Sequence, residues 1–237
     1  MRRSVLFGIT ILAALAATAL GFWQLRRHGE RKAINSVARA GLELPPLDLS
    51  GGSAPEPWRR ASARGFYDEA EEFLLRGRSV QGVPAVQVVT PLRLEGRDTA
   101  ILVNRGYVPA PDAANPGEAT WSEPGPVAVR GVLLPVPDQG GGQPIRQAER
   151  ESWKSLDLTA MRSRLPYPVA PVYLMVEADS GSEHTVRGRS YPIRAALPAL
   201  DGGPHLSYAI QWFGIALAAL AFGFFFVLRR TSTTRVE

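Results

Sequence analysis

The sequence predicts two transmembrane helices, one near each terminus, flanking a β-rich extracytoplasmic domain that forms a small antiparallel sheet or barrel with one or two short helices. Residues 5–23 and 206–228 are uncharged apolar runs, each long enough to cross about 30 Å of hydrocarbon. Between them lie short β-branched runs separated by Gly and Pro, which is typical of strands joined by turns. The mean hydropathy of −0.06 is ordinary for a soluble protein, so the apolar residues are concentrated in the two runs.

The first apolar run has an alternative interpretation as a secretory signal. It follows Met1-Arg2-Arg3 and contains Ala17-Thr18-Ala19, a small-residue pattern found at cleavage sites. The run is longer than the usual apolar core of a signal, which favours a span over 5–23. Residues 24–40 then continue as an exit helix that Gly41 ends, and a Pro- and Gly-rich linker follows.

Basic residues at the second run predict the orientation. Arg229, Arg230 and Arg235 follow this run, and Arg194 alone precedes it closely. The positive-inside rule therefore places the tail, 229–237, in the cytoplasm and the domain, 41–204, outside it. The first run has the opposite local bias, since more basic residues follow it than precede it. We give the second run more weight because its asymmetry is sharper.

The domain is predicted to be mostly strands. Two β-branched runs flank the turn Glu95-Gly96-Arg97-Asp98, a pattern that indicates a hairpin. The predicted elements, in order, are a strand over 58–67, a turn or short helix over 68–75, the hairpin strands 85–94 and 99–108, a strand over 127–136, a loop over 137–147, a helix within 153–165 that Pro166 stops, and strands over 172–178 and 191–195.

Composition excludes several classes of function. The net charge is +5, but the arginines are spread singly, so no nucleic-acid module is predicted. A basic face towards anionic lipid or an acidic partner is one explanation, and a merely solvated surface is the other. Cysteine is absent, which excludes disulfides, thiolate metal sites and covalent C-x-x-C-H haem attachment. No catalytic motif or acid–base pair is visible, and we therefore predict that the protein is not an enzyme.

The remaining signal lies at the two membrane exits, residues 21–32 and 204–213. An aromatic belt at the lipid interface accounts for the aromatic residues there, among them Trp23, Tyr208 and Trp212. It does not account for Gln24 and Gln211, because unpaired amides at this depth are costly. We expect the two glutamines to lie at similar depth.

The belt does not account for His205 either. On a helix, His205, Tyr208 and Trp212 are spaced i, i+3 and i+7 and share a face. If this face turns to the first span, Gln24 and Arg27 would meet it. Neutral imidazole is a good axial ligand for haem iron, and arginines pair with carboxylates such as propionates. The alternative for an interfacial histidine is a hydrogen bond to a lipid headgroup.

Three motifs resemble those of a known family. They are Gly21-x-Trp23-Gln24-x-x-Arg27, the stretch VNRGYVP at 103–109, and His205-Leu206-x-Tyr208-Ala209-x-Gln211-Trp212-Phe213. In this order and spacing the chain resembles the Surfeit-locus (Surf-one-like) family of cytochrome c oxidase assembly factors, in its bacterial form. Tyr107 departs from the family's usual Trp, Arg31 stands at a position usually held by Lys, and residues 137–147 match no part of the family pattern.

The resemblance implies an assembly factor for haem-copper cytochrome c oxidase, located in the bacterial inner membrane as a multi-pass protein whose main domain faces the periplasm or cell exterior. It implies that haem a is held transiently and presented to the oxidase catalytic subunit, with haem a synthase and membrane lipid as further partners. His205 is the candidate iron ligand. The other candidate cofactor-binding residues are Tyr208, Gln211, Trp212, Trp23, Gln24, Arg27 and Arg105. The alternative is a haem-free membrane scaffold that docks oxidase subunits.

Arg105 belongs to the VNRGYVP stretch rather than to a membrane exit. Gly106 would permit a β-bulge beside it. The Arg105 guanidinium would then pair with a propionate or with a buried carboxylate. The alternative is that this strand simply holds the hairpin together.

Overall fold

The structure, a computed structural model, describes residues 2–117, 121–147, 150–177 and 192–228. The chain divides into two compact units, a helical unit of Met1–Val37 with Leu200–Glu237 and a β-rich unit of Ala38–Ala199. The elements are α1 (Arg2–Glu43), β1 (Leu47–Asp48), β2 (Arg60–Tyr67), a 3₁₀ turn (Glu69–Glu71), β3 (Phe73–Val80), β4 (Val83–Leu94), β5 (Ala100–Pro109), β6 (Pro126–Pro135), β7 (Ile145–Gln147), β8 (Arg150–Trp153), α2 (Leu158–Arg164), β9 (Val169–Val176) and α3 (His205–Leu228).

Within the described residues, two helices are long and apolar enough to cross a membrane. They are Val5–Glu43 within α1 and His205–Phe225 within α3. The predicted first span and exit helix form one continuous helix of 42 residues, because no proline interrupts residues 2–43. Within the apolar part, the Thr18 hydroxyl donates to the carbonyl of Ala14 at 2.8 Å, so this polar side chain is satisfied without leaving the helix.

The two helices pack antiparallel through small residues, along a contact that we call the helix seam. The buried seam residues are Ala14, Ala17 and Gly21 on α1 and Ala209, Ala216 and Gly223 on α3. They recur at spacings of three, four or seven, which keeps one face of each helix towards the other. A Cβ on Gly223 would stand 2.9 Å from Thr10 Oγ1, and one on Gly21 would stand 2.6 Å from the Phe213 ring. Small residues therefore allow the close backbone approach.

Five strands of the β-rich unit close into a barrel. The order is β2-β6-β9-β5-β4, and β4 pairs with β2 to complete the ring. Four of the five pairs are antiparallel, as predicted, and β5–β9 is parallel. The parallel pair arises because β9 lies between β5 and β6 and runs antiparallel to β6. Counted within the barrel, the order is first, second, third, fifth, fourth, which is the topology of OB-type Greek-key barrels.

The barrel core is formed by alternate residues of all five strands. Representative members are Ala63, Leu92, Ile101, Leu133 and Leu174. Each is at most 1% exposed, and burying a side chain of Leu or Ile size contributes about 1.5–3 kcal/mol. The predicted hairpin is confirmed as β4 and β5, with Arg93 paired to Ala100 across the turn.

Strands β3, β8 and β7 extend the sheet beyond β4. A second core cluster, which includes Phe73, Trp153 and Met161, packs here with α2. The predicted helix within 153–165 is confirmed as α2, which Asp157 caps by accepting from the Ala160 backbone N–H. Pro166 follows its end. In the described part of the chain the outermost strands are short, since β1 has two residues and β7 has three.

Some sequence-based predictions need correction. Residues 68–75, predicted as a turn or short helix, contain the 3₁₀ turn Glu69–Glu71. From Phe73 onwards the chain instead forms β3, because Phe73 and Leu75 are buried in the second core cluster. The strand expected over 191–195 is reduced to a single bridge between Ile193 and Tyr107. Parts of the predictions on 172–178 and 191–195, and those on His184 and the tail, fall outside the described residues.

Candidate functional site

The helical unit brings His205 and Gln24 into direct contact. His205 is the first residue of α3 and follows Pro204, whose carbonyl accepts from the Tyr208 N–H at 3.1 Å. His205 Nδ1 lies 2.8 Å from Gln24 Oε1, and both residues are half-buried. The pair forms the last layer of the helix seam, one turn beyond the buried Ala209 and Gly21. The sequence-based expectation that Gln24 meets the His205 face is therefore met.

This contact determines which imidazole nitrogen is available to a ligand. An amide oxygen only accepts hydrogen bonds, so the proton of the neutral ring lies on Nδ1. The lone pair is then on Nε2. Histidines that bind metals commonly have this arrangement, in which the second nitrogen donates to a carboxylate or carbonyl oxygen. His205, through Nε2, is thus a residue that would hold haem iron if haem were bound.

A glycine turn packs beside both histidines of this unit. A Cβ on Gly202 would stand 3.1 Å from His28 Cε1, and one on Gly203 would stand 3.5 Å from His205 Cδ2. Gly203 also has a φ of +61°, which favours glycine. Asn35 Nδ2 donates to the carbonyl of Asp201 at 2.6 Å and so ties the turn to α1. Sequence reasoning missed these glycines, although a Gly-Gly pair before a histidine is a visible signal.

Aromatic rings lie on the other side of the His205–Gln24 layer. Phe22 and Phe213 meet edge to face with centroids 5.3 Å apart, and Phe213 packs on Gly21. Trp212 is half-buried. An aromatic belt would only place the rings at the lipid interface, so this ring-to-ring contact is an additional packing interaction between α1 and α3.

Other predicted site residues point away from the seam. Trp23 is 52% exposed and Tyr208 is 46% exposed, and Gln211 is also exposed. Gln211 lies six residues beyond His205, which is about 9 Å along the helix axis. Gln24 lies at the level of His205, and Gln211 lies about 9 Å further along α3. The two glutamines therefore do not lie at the similar depth that was expected.

Arg27 lies on the exposed side of α1. Its Nη1 is 2.8 Å from Glu30 Oε2, and 54% of its side chain is exposed. Arg26 binds the same carboxylate at 3.0 Å. Exposed pairs of this kind contribute little to stability, because solvent screens the two charges. The Arg27 guanidinium can therefore exchange its partner for another anion at little cost.

Arg105 lies in the β-rich unit, at the predicted β-bulge. Val88 pairs with Gly106 and Val89 with Asn104, so Arg105 is the extra residue of β5. Gly106 has a φ of +124°, and a Cβ there would stand 2.2 Å from the carbonyl oxygen of Ile193. The bulge expected beside Arg105 is confirmed.

The Arg105 side chain is fully buried among anionic groups. Its partners among the described residues are three carboxylates, Glu123 at 2.9 Å, Glu72 at 3.4 Å and Glu69 at 3.6 Å. The guanidinium also donates to the carbonyl of Trp121 and lies 4.5 Å from the centre of the Tyr67 ring. Burial raises the pKa of Glu72, against hydrogen bonds from Thr90 and Trp121 that lower it. This geometry gives Arg105 a structural role inside the unit.

No group of three or more acidic, histidine or cysteine side chains that could hold a metal ion occurs within the described residues. A haem iron needs only an axial ligand, since the porphyrin supplies the other nitrogens. The missing cluster therefore does not bear on His205.

Comparison with known proteins gives a consistent result. A sequence profile of the SURF1 family matches residues 11–217. The chain is 31% identical to an uncharacterized SURF1-like protein of Mycobacterium bovis over 89% of its length and 78% of that protein. It is 29% identical to a SURF1-like protein of Monosiga brevicollis, covering 91% and 84% of the two chains. Surfeit locus protein 1 of Takifugu rubripes is 27% identical over 88% and 91%.

Proposed function

The chain belongs to the SURF1 family of cytochrome c oxidase assembly factors, and on that premise we propose that it holds haem a and presents it to the oxidase catalytic subunit, with His205 as the iron ligand. Its family is one of assembly factors rather than enzymes. The two candidate membrane helices indicate a membrane protein.

The observation that carries this proposal is the contact between His205 and Gln24. Sequence alone leaves an interfacial histidine free to bind a headgroup. The 2.8 Å contact holds the ring between the two helices, and this supports a ligand role for the Nε2 lone pair. A histidine that only solvated the interface would not need a fixed orientation.

The neighbouring residues supply what a haem group requires. When bound, haem a supplies an iron centre with an axial position for an imidazole. Trp212 and the Phe22–Phe213 pair offer aromatic surface for the macrocycle. Arg27, in its exposed pair with Glu30, is the candidate partner for a propionate. Tyr208, Gln211 and Trp23 have exposed side chains and could line the approach.

Charge and family support a location for the protein. We place the protein in the bacterial inner membrane, with the β-rich unit on the periplasmic side, because Arg229 and Arg230 follow the second apolar run directly. Haem a synthase is the natural donor and the oxidase catalytic subunit the acceptor, so the group is held only transiently. Membrane lipid surrounds the two spans.

A second candidate function is a haem-free scaffold that docks oxidase subunits. The exposed Tyr208 and Gln211 favour it. They lie three residues apart on α3, and within the described chain the Gln211 amide makes no side-chain hydrogen bond. A polar group at this depth is costly unless another membrane protein satisfies it.

An absorption spectrum distinguishes the two functions. The full chain is purified from cells that synthesise haem a, together with His205→Ala and His184→Ala. We expect a haem spectrum from the parent and from His184→Ala, and its loss from His205→Ala at unchanged membrane insertion. Full haem retention by His205→Ala would contradict the ligand role. A haem-free parent that still supports oxidase assembly would favour the scaffold.

A further inference from the structure

A cavity of about 360 Å³ opens at one end of the β-barrel, beside the turn between β4 and β5. We call it the barrel-mouth pocket. Its lining includes Leu94, Ile101 and Ala170, which are members of the barrel core. The floor of the pocket is therefore the open end of the core. Small-molecule sites commonly occupy barrel mouths, and this volume lies within their range of about 300–1,000 Å³.

Two arginines stand at the rim of the barrel-mouth pocket. Arg97 belongs to the β4–β5 turn, and Arg162 belongs to α2. No acidic side chain lines the pocket, and within the described residues neither guanidinium has a carboxylate at ion-pair distance. Arg162 Nε and Nη2 donate only to the Val169 carbonyl, at 3.4 and 3.3 Å. Uncompensated positive charge thus faces an apolar floor.

We propose that the barrel-mouth pocket binds an amphipathic anion, with its oxyanion head on Arg97 and Arg162 and its apolar body on Leu94, Ile101 and Ala170. A guanidinium offers a planar fork of donors that matches a carboxylate or a phosphate. The apolar floor removes a short hydrocarbon body from water. A few convergent polar groups around an apolar wall are the usual composition of a ligand site.

This inference goes beyond the haem proposal and does not depend on it. None of the candidate haem residues lines the pocket, and a failure of one proposal leaves the other intact. Both a carboxylate and a phosphate can pair with the two arginines. The test below compares a carboxylate and a phosphate of the same chain length to show which of the two is bound.

The test uses the full chain in lipid nanodiscs and a photoreactive octanoate that carries a diazirine on its chain. After irradiation, labelled peptides are identified by mass spectrometry. We expect labelling within residues 94–101 and 162–171. Octanoate and octyl phosphate should compete and octanol should not, and the stronger competitor identifies the preferred oxyanion. Equal competition by octanol, or labelling confined to other segments, would overturn the proposal.

Substitutions separate binding from folding. We expect Arg97→Gln and Arg162→Gln each to weaken the labelling about tenfold, and the exposed Arg146→Gln, which lies outside the pocket, to leave it unchanged. Arg97→Lys with Arg162→Lys keeps the charge and should retain part of the labelling. Unchanged labelling in both Gln variants would overturn the proposal. The proposal would also be overturned if the Gln and Lys variants all lost labelling and had a lowered melting temperature. The two arginines would then only stabilise the fold around the pocket.

Discussion

The Arg105 guanidinium and the Glu72 carboxylate lie 3.4 Å apart inside the β-rich unit, where Arg105 has no exposed surface. The bulge in β5 turns this arginine towards the segment that contains Trp121 and Glu123. The pair therefore connects β5 of the barrel to the segment just before β3, which contains Glu72. Breaking such a pair is costly even where its net contribution to stability is small, because the remaining charge stays buried without a partner.

Removal of the Arg105 charge should destabilise the β-rich unit strongly. Arg105→Gln leaves Glu72 buried without its cation, and we expect a loss of about 3–5 kcal/mol in the free energy of unfolding. Urea unfolding of the full chain in nanodiscs, followed by tryptophan fluorescence, measures it. The matched control Arg130→Gln changes an exposed arginine of β6 and should stay within about 0.5 kcal/mol. Equal losses in both variants would contradict the structural role.

The glycine beside this arginine should be irreplaceable. Gly106→Ala places a Cβ 2.2 Å from the Ile193 carbonyl oxygen, at a φ of +124°. The control Gly96→Ala also has a positive φ, +70°, but meets nothing within 4 Å. We expect Gly96→Ala to cost about 1–2 kcal/mol and Gly106→Ala clearly more, as measured by thermal unfolding. A similar cost at both positions would mean that Ile193 moves aside freely.

Tyr67 should make stability depend on pH in the alkaline range. Burial raises the pKa of Tyr67 from 10.0 to about 12, although the nearby Arg105 charge lowers it. Between these values the folded chain keeps a proton that the unfolded chain has lost. The stability contribution is thus full below pH 10 and is lost as the pH rises to 12, with a slope of about 1.4 kcal/mol per pH unit.

Urea unfolding between pH 9 and pH 12 measures this dependence. The variant Tyr67→Phe keeps the ring and lacks the titrating group, so its stability should fall less steeply in the same interval. If the stability of the parent and of Tyr67→Phe falls equally steeply with pH, the Tyr67 hydroxyl does not cause the pH dependence.

Gln24 should act on haem through His205. Gln24→Leu removes the acceptor of the Nδ1 proton, and loss of such a supporting group typically weakens metal binding about 10–100-fold. Gln24→Glu keeps an oxygen acceptor and should retain binding with a shifted absorption band. Gln143→Leu is the control, because Gln143 is an exposed amide in the β-rich unit, outside the candidate haem residues. Haem titration of the apo-protein measures all three, and an equal effect at 24 and 143 would exclude a positioning role for Gln24.

The helix seam can be tested by a disulfide, since the chain has no cysteine of its own. A Cβ at position 223 would stand 3.5 Å from Thr10 Cβ, within the separation of about 3.5–4.5 Å that a disulfide needs. Thr10→Cys with Gly223→Cys should therefore oxidise readily within one chain, as shown by mass spectrometry. Gly8→Cys with Gly214→Cys is the control, since neither glycine has a neighbour within 4 Å. Equal oxidation of both pairs would mean that the helices do not keep this register.

The sequence was informative where one physical pattern dominates a segment. Apolar length predicted both spans, and β-branched runs around Glu95-Gly96-Arg97-Asp98 predicted the hairpin. The bulge at Arg105 was also predictable, because the glycine that follows it tolerates a positive φ.

Other features depend on partners that are distant in sequence. The strand β3 was missed because the acidic residues just before it resemble a turn, and its extended form depends on pairing with β4 and β8, which are distant or unpredictable in the sequence. The parallel pairing of β9 with β5 depends on where β9 inserts in the barrel. Tyr208 follows His205 by three residues on α3, as its spacing predicts. Its 46% exposure was not predictable, because the seam follows the small residues Ala209 and Ala216.

The shortness of β1 and β7 limits the ways in which another protein can associate with the β-rich unit. A sheet that ends in long strands offers unpaired backbone groups to any extended segment, which promotes strand addition and aggregation. Here the five-stranded ring has no free edge of its own, and the outermost described strands offer only two and three residues. Strand addition at these two ends is therefore disfavoured, which favours recognition of this unit through its side chains and cavities.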